Sequence, residues 1–464
     1  MIRSTFVCSL ALVVSALPAS AEDCPLTFKT IPAKAVMSFP GGYGSYGSIQ
    51  LNKPAGLRKE PKAVSRYPLY GRCGDTAGSD GFLFRLDESQ GNGKGYDRLI
   101  MDLNQNGDLT DDPVVSPAEQ PNDRRSTSRT DQTLFGPIVA PEDKAIAGNR
   151  PIYFAQTYLY NVALLRQGRD ISELGAPIGQ LLFKAGWYLD TTVTWKELNQ
   201  KVGVYDANAN LRLGDLSHPQ TSTVRGETSW YFQPGDVLLV DANGSSAFEN
   251  DNFQSESAPF GNVLYLSDIP YEVELASNAK MLRVQPGMAA LAEVTLAPHG
   301  DQVRNVTLAR ESKDGKWELL RAGAASGKIK VPPGNYRLYA CDLIGKAAPR
   351  DQVMAAATQR LVQSPVRFTA GQANTLRCGA PLTIKVTAEK ARAETLGRVG
   401  ISPFDATRDS EFELSINAEI RGAGGELYST YAKGEQLQAR PPKPAFAILD
   451  STGKKLADGN LEYG

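Results

Sequence analysis

Apolar and polar residues alternate along several stretches of the chain. Phe412, Leu414, Ile416, Ala418 and Ile420 fall on one face of an extended segment, as do Leu382, Ile384 and Val386, and Tyr271, Val273 and Leu275. A period of two predicts strands with one buried face. The 3.6-residue period of a helix is scarce, and its best stretch, Gln352 to Leu361, is short.

The 43 glycines and 29 prolines cut the apolar runs into short pieces, which points to strands joined by turns. The expected fold is mainly β and multi-domain. After residues 1–21, the division runs 22–130, 131–285, 286–380 and 381–464, all β. The polar stretch Gln120 to Thr130 separates the first two as a loop or linker. Lys328 to Cys341 reads as a strand, a Pro-Gly turn and a second strand. Its Pro333-Gly334-Asn335-Tyr336 resembles the corresponding segment of immunoglobulin-like or carboxypeptidase-regulatory-like sandwiches, which implies a β-sandwich over 286–380. Asp450 to Lys454 reads as a hairpin turn.

The N-terminus changes the compartment. Arg3 precedes an apolar run from Phe6 to Leu17, and Ala19-Ser20-Ala21 is a small-x-small cleavage pattern. That run is too short to span a bilayer and predicts a secretory signal over 1–21, so the mature chain is expected to be secreted or periplasmic, with no membrane span. Four cysteines then remain: Cys24, Cys73, Cys341 and Cys378. An even number outside the cytoplasm predicts two disulfides, with three connectivities open. Position along the chain favours Cys24–Cys73 and Cys341–Cys378, each contributing roughly 4 kcal/mol by loop closure. The formal charge of -1 and the scattered basic residues give no footprint for nucleic acid.

One repeat carries chemistry. Three apolar runs lead straight into Asp-x-Asn: Asp102-Leu-Asn104-Gln-Asn106-Gly107-Asp108, Asp206-Ala-Asn208-Ala-Asn210 and Asp241-Ala-Asn243-Gly-Ser245. With the first Asp as position 1, positions 1, 3 and 5 carry side-chain oxygens in all three. Position 8 is apolar (Leu109, Leu213, Phe248), and position 10 bears oxygen again (Asp111, Asp215, Asn250). Asp112 adds a further carboxylate to the first loop. Calcium takes six to eight oxygens from carboxylates, amides, carbonyls and water, and a tightly curled loop can aim alternate residues at one centre. The plainer reading is a recurring Asx-turn, because Asp and Asn bond their own backbone readily. The second and third loops also read as turns of one sheet packed together.

The first loop resembles the EF-hand and dockerin type of calcium loop. That resemblance implies Asp102, Asn104 and Asn106 as ligands, with Asp108 contributing a main-chain carbonyl. The loops depart from the type at named places. Pro113 stands where an EF-hand has its bidentate Glu, and Leu211 stands where the glycine is expected. With Leu57 to Lys62 and Phe82 to Asp87, the first loop also resembles a family of uncharacterised secreted bacterial β-rich proteins. This implies export and a β fold, and no activity.

Enzyme signatures are missing. The two histidines, His218 and His299, supply no His-Glu-x-x-His, and neither a Gly-x-Ser-x-Gly elbow nor a phosphate loop occurs. The run Gly41 to Gly47 reads as a mobile loop. Trp187, Tyr188, Trp195, Trp230 and Tyr231 could stack on sugars but fit sheet packing better. The leading expectation is a calcium-binding β protein with a binding or structural role at the cell envelope, its partner a glycan or envelope protein. The alternative is an extracellular hydrolase, carbohydrate-active or other, using Asp and Glu.

Overall fold

The computed structural model describes residues 21–74, 81–91, 95–118, 131–160, 177–195, 198–224, 227–249, 256–286, 290–311, 317–324, 327–345, 353–357, 364–392, 412–433, 445–449 and 451–460. The stretch expected to be a signal segment, up to residue 20, and the one expected to be a linker, 120–130, lie outside these ranges. The fold is mainly β, built from several largely antiparallel sheets.

Three sheets stack in the N-terminal half. A seven-stranded antiparallel sheet runs Arg98–Met101, Phe82–Asp87, Leu69–Cys73, Ser45–Gln50, Gly179–Ala185, Ile152–Leu159, Asp131–Val139 in spatial order. It therefore takes strands from both sides of residue 130. A five-stranded sheet follows: Ser257–Pro259, Val237–Val240, Leu198–Tyr205, Trp187–Trp195, Thr27–Thr30. The third has four strands, with Glu22–Pro25 paired to Met281–Pro286 at one edge.

The five-stranded sheet is the middle layer, covered on both faces. Tyr205, Val237 and Leu239 pack into the core shared with the seven-stranded sheet. Val202, Val204 and Leu238 pack into the core shared with the four-stranded sheet. A strand buried on both faces reads as a continuous apolar run, as Val202-Gly-Val-Tyr205 and Val237-Leu-Leu-Val240 do.

Toward the C-terminus a β-sandwich forms. Lys328–Val331, Ala292–Pro298 and Asn374–Cys378 make one sheet, with Val294, Leu296, Ile329 and Leu376 facing the core. Val306, Leu308, Leu320 and Leu338 face them from an eight-stranded sheet. The Pro-Gly turn carries the chain from the first of these sheets to the second. Tyr336 is fully buried there, stacks on Phe368 (5.3 Å between centroids) and donates its hydroxyl to Pro332 O (2.5 Å). Ala445–Leu449 and Lys455–Asn460 pair as the hairpin expected around 450–454.

Four expectations are corrected. Of Gln352 to Leu361, read as the best helix, the described part, Val353–Ala357, is a strand between Gly334–Ile344 and Leu427–Lys433, and the rest lies outside the described residues. Sheet hydrogen bonds on both edges outweigh the helix propensity of its three alanines. Thr383–Arg392 is a strand, yet Ile384 and Val386 on its apolar face are 68% and 61% exposed. The Gly41 to Gly47 run is packed rather than mobile: the Gly44 N–H donates to Ala207 O (2.8 Å), and a side chain at Gly44 would meet Phe183 O at 2.6 Å. Finally, no disulfide forms. All four cysteines are free and buried. Cys24 and Cys73 belong to different cores, Cys24 between the four- and five-stranded sheets and Cys73 with the seven-stranded one. The thiols of Cys341 and Cys378 do meet across the sandwich core, where their hydrogen bond and burial push Cys341 upward. Burial pushes Cys24 up to about 11 and Cys73 to about 12, so both stay thiols at neutral pH.

Candidate metal-binding loops

Each Asp-x-Asn loop begins one residue after a strand: Arg98–Met101, Leu198–Tyr205 and Val237–Val240. The three have one backbone. Position 4 is left-handed in all of them (Gln105 φ 58°, Ala209 φ 53°, Gly244 φ 73°), and so is position 6 (Gly107 φ 74°, Leu211 φ 69°, Ser246 φ 66°). Four of these six are not glycine, and left-handed backbone costs them roughly 1–2 kcal/mol each.

The hydrogen bonds repeat as well. The position-5 N–H donates to one oxygen of the position-1 aspartate: Asn106 to Asp102 (3.0 Å), Asn210 to Asp206 (3.1 Å), Ser245 to Asp241 (3.0 Å). The position-6 N–H donates to the other oxygen, from Gly107 (2.8 Å), Leu211 (3.3 Å) and Ser246 (2.8 Å). The position-5 N–H is shared with the position-3 amide oxygen of Asn104 (3.1 Å), Asn208 (3.3 Å) or Asn243 (2.8 Å). The position-7 N–H donates to the position-5 side-chain oxygen of Asn106 (2.7 Å), Asn210 (3.0 Å) or Ser245 (3.3 Å). These contacts curl the chain so that positions 1, 3 and 5 turn the same way. A carboxylate has about four lone-pair sites. The two loop N–H groups therefore leave capacity on each position-1 aspartate.

The first loop docks on residues 56–60. Arg58 N–H donates to Gly107 O (2.7 Å), and the Lys59 ammonium bonds Asp108 Oδ2 (2.8 Å), holding that partly exposed carboxyl down at about 2. A Cβ at Gly107 would meet Gly56 O at 2.4 Å, so only glycine fits. Leu109 is fully buried and anchors the loop, as position 8 was expected to. Asn106 Nδ2 donates to Asp111 Oδ2 (2.8 Å), and Asn104 Nδ2 lies 3.5 Å from the same oxygen. Asp112 occupies the place next to the missing EF-hand glutamate. Its Oδ2 is buried without a partner, and burial followed by the charges of Asp102, Asp111 and Asp108 pushes it up to about 7.

The second loop is the buried one. Asp206 is 0% exposed, because it ends the strand at the centre of the middle sheet. Tyr153, from the seven-stranded sheet, donates its hydroxyl to Asp206 Oδ2 (2.7 Å). Asn210 Nδ2 donates to Asp215 Oδ2 (2.6 Å). Leu213 is only partly buried here, and Leu211 at position 6 takes over as anchor with 4% exposure.

In the third loop Phe248 is the buried anchor, and Asn250 lies outside the described residues. Glu256 clamps this loop: its carboxylate accepts N–H groups from Ala242 (2.9 Å), Asn243 (3.2 Å) and Glu249 (2.9 Å). The Lys201 ammonium donates to Ser246 O (3.0 Å) and lies 4.9 Å from the centre of the Phe248 ring. A fixed positive charge so close opposes a cation.

The second and third loops do not pack together. Their strands are antiparallel neighbours, with Tyr205 opposite Val237 and Val202 opposite Val240, so the loops lie at opposite ends of the pair. Sequence reading missed Asp236, Glu256, Tyr153 and Lys201. None lies within an Asp-x-Asn frame, and only strand pairing brings Asp236 and Lys201 beside it. Of the aromatic candidates, Trp187 is fully buried and stacks on Phe28, whereas Tyr231 is 40% exposed.

Among the described residues, no three carboxylate, imidazole or thiol groups already converge as a metal site. A cation in any of these loops would take part of its shell from the asparagine amides, main-chain carbonyls and water. No protein-family model, curated protein or solved structure matches the chain.

Proposed function

We propose that this is an exported calcium-binding β protein whose Asp-x-Asn loops are stiffened by the cation, with a binding or structural role at the cell envelope. One observation carries the reading: the same curled loop occurs three times, with the same two left-handed positions and the same hydrogen bonds onto the position-1 aspartate. Oxygen at positions 1, 3 and 5 with a sharp turn at position 6 is how calcium loops of the EF-hand type gather hard ligands. The strain held at Gln105, Ala209, Leu211 and Ser246 fits loops kept for their shape. Export rests on the N-terminal segment, and the partner, a glycan or an envelope protein, rests on that location.

The experiment is a calorimetric calcium titration of the mature protein after treatment with chelator, paired with melting curves. Calcium should bind and raise the melting temperature, and magnesium should do less because it demands a small octahedral shell. Identical curves in chelator and in millimolar calcium would leave the loops as Asx-turns only.

A further inference from the structure

We infer that Asp236 is a cross-strand ligand completing the second loop as a buried calcium site with Asp206, Asn208, Asn210 and Asp215. This rests on the calcium reading of the loops and goes beyond it, since Asp236 belongs to no Asp-x-Asn frame.

The register brings the two aspartates together. Tyr205 pairs with Val237, so Asp206, one step past the first strand, lies across from Asp236, one step before the second. Both are 0% exposed. Asp236 Oδ2 is held by the N–H groups of Gly214 (2.7 Å) and Asp215 (2.9 Å), both from the far side of the loop. Its Oδ1 is buried with no hydrogen-bond partner. The groups that act on the two charges are each other, Asp215, Tyr153 and main-chain N–H groups. Among the described residues no Lys, Arg or His forms an ion pair with either.

Buried like charges without a counter-ion, and a buried carboxylate oxygen without a partner, are both costly. A divalent cation between Asp206 and Asp236 removes both costs. The alternative is that the pair keeps a proton: burial pushes both carboxyls upward, helped by the Asp215 charge at Asp206 and by the Asp206 and Asp215 charges at Asp236. The other loops lack this arrangement. Glu256 in the third has both oxygens occupied by main-chain N–H groups, and Asp112 in the first, though its Oδ2 also lacks a partner, is only partly buried and belongs to the loop itself rather than to a neighbouring strand. Leu211 to Gly214 line an open cavity of about 480 Å³ beside the loop, and none of the five proposed ligands faces it.

The test is calcium calorimetry on the full mature chain, comparing the natural protein with Asp236→Asn, Asp206→Asn and Asp102→Asn. The tightest binding class should be lost in the first two variants, by more than the roughly 10–100-fold that removal of an outer-shell partner costs. It should survive in Asp102→Asn. In chelator, Asp236→Asn should melt no lower than the natural protein, because the amide fills the same buried place without a carboxylate's burial cost, and it should gain less from calcium. A merely structural role would lower both curves. On the unmutated protein, terbium decay in light and heavy water should count at most about one bound water at the tightest site. Calcium affinity kept by Asp236→Asn but lost by Asp206→Asn would remove Asp236 from the site and leave the loop reading intact. Several waters on the tightest ion would have the same effect. Failure of the natural protein to bind calcium would end both.

Discussion

Asp206 and Asp236 occupy the facing ends of two antiparallel strands, one residue beyond the Tyr205–Val237 pair, and neither reaches solvent. The middle sheet explains this. Its strands have cores on both faces, so a loop springing from a strand end starts inside the protein. The first loop springs from Arg98–Met101 at the edge of its sheet, and its residues 105 and 106 are exposed.

Calcium should stabilise the folded chain. A ligand at a hundredfold excess over its Kd contributes about 2.7 kcal/mol if it binds only the native state, which for a large domain is a rise of roughly 5–10 °C. Asp102→Ala and Asp206→Ala should each remove part of this rise. Asp241→Ala should remove least, because Lys201 already donates to Ser246 O in the third loop. Differential scanning calorimetry with and without chelator measures all three.

Position 6 separates backbone strain from burial. Ser246 is exposed at φ 66°, so Ser246→Gly should stabilise by about 0.5 kcal/mol, strain relief slightly outweighing the entropy glycine adds to the unfolded chain. Leu211 has the same backbone but is 4% exposed. Leu211→Gly should therefore destabilise, since lost burial of roughly 2–3 kcal/mol exceeds the strain relieved. Gly107→Ala should be the most damaging, with its Cβ driven to 2.4 Å from Gly56 O. Urea unfolding in chelator gives the order.

Lys184 supplies a pH dependence away from the loops. It is 2% exposed and donates to Met37 O (3.1 Å), and burial pulls it down to about 8. The unfolded value is about 10.4. Above pH 8 the unfolded chain holds the proton that the folded chain has released, so this residue adds stability as pH rises, up to about 1.4 kcal/mol per unit. The buried thiols of Cys24 and Cys73, pushed upward, act in the opposite sense. The difference between the natural protein and Lys184→Met therefore isolates the effect. Denaturant melts at three pH values should show that difference shrinking between about pH 8 and pH 9.5; a constant gap would contradict it.

The cysteines give a chemical check. Cys24 and Cys73 should be recovered unlinked to each other after non-reducing digestion, since they sit in separate cores. Under mild oxidation, a cross-link should appear first between Cys341 and Cys378, whose thiols touch. A Cys24–Cys73 peptide in the mass spectrum would contradict the layering of the three sheets.

Local pattern was enough for much of this protein. The alternation around Tyr271 and Phe412 gave strands, and the Pro-Gly and Asp450 to Lys454 turns lie between strands as read. The Asp-x-Asn frame gave three loops of one shape, because an Asx curl is made by residues within seven positions of each other. What lay beyond sequence was everything set by layers and register. Whether an apolar face is covered depends on another sheet: Val202 and Val204 are buried, whereas Ile384 and Val386 are not. Neighbouring strands on both edges made Val353–Ala357 a strand despite its alanines. Four cysteines suggested two bridges, but a whole sheet separates one pair. Asp236 follows Pro234-Gly235 and belongs to no Asp-x-Asn frame, and only antiparallel pairing across thirty positions of chain placed it across from Asp206. A residue's own neighbours in sequence fix its backbone. What surrounds a charge, and so what that charge can hold, is fixed by strands distant in the chain.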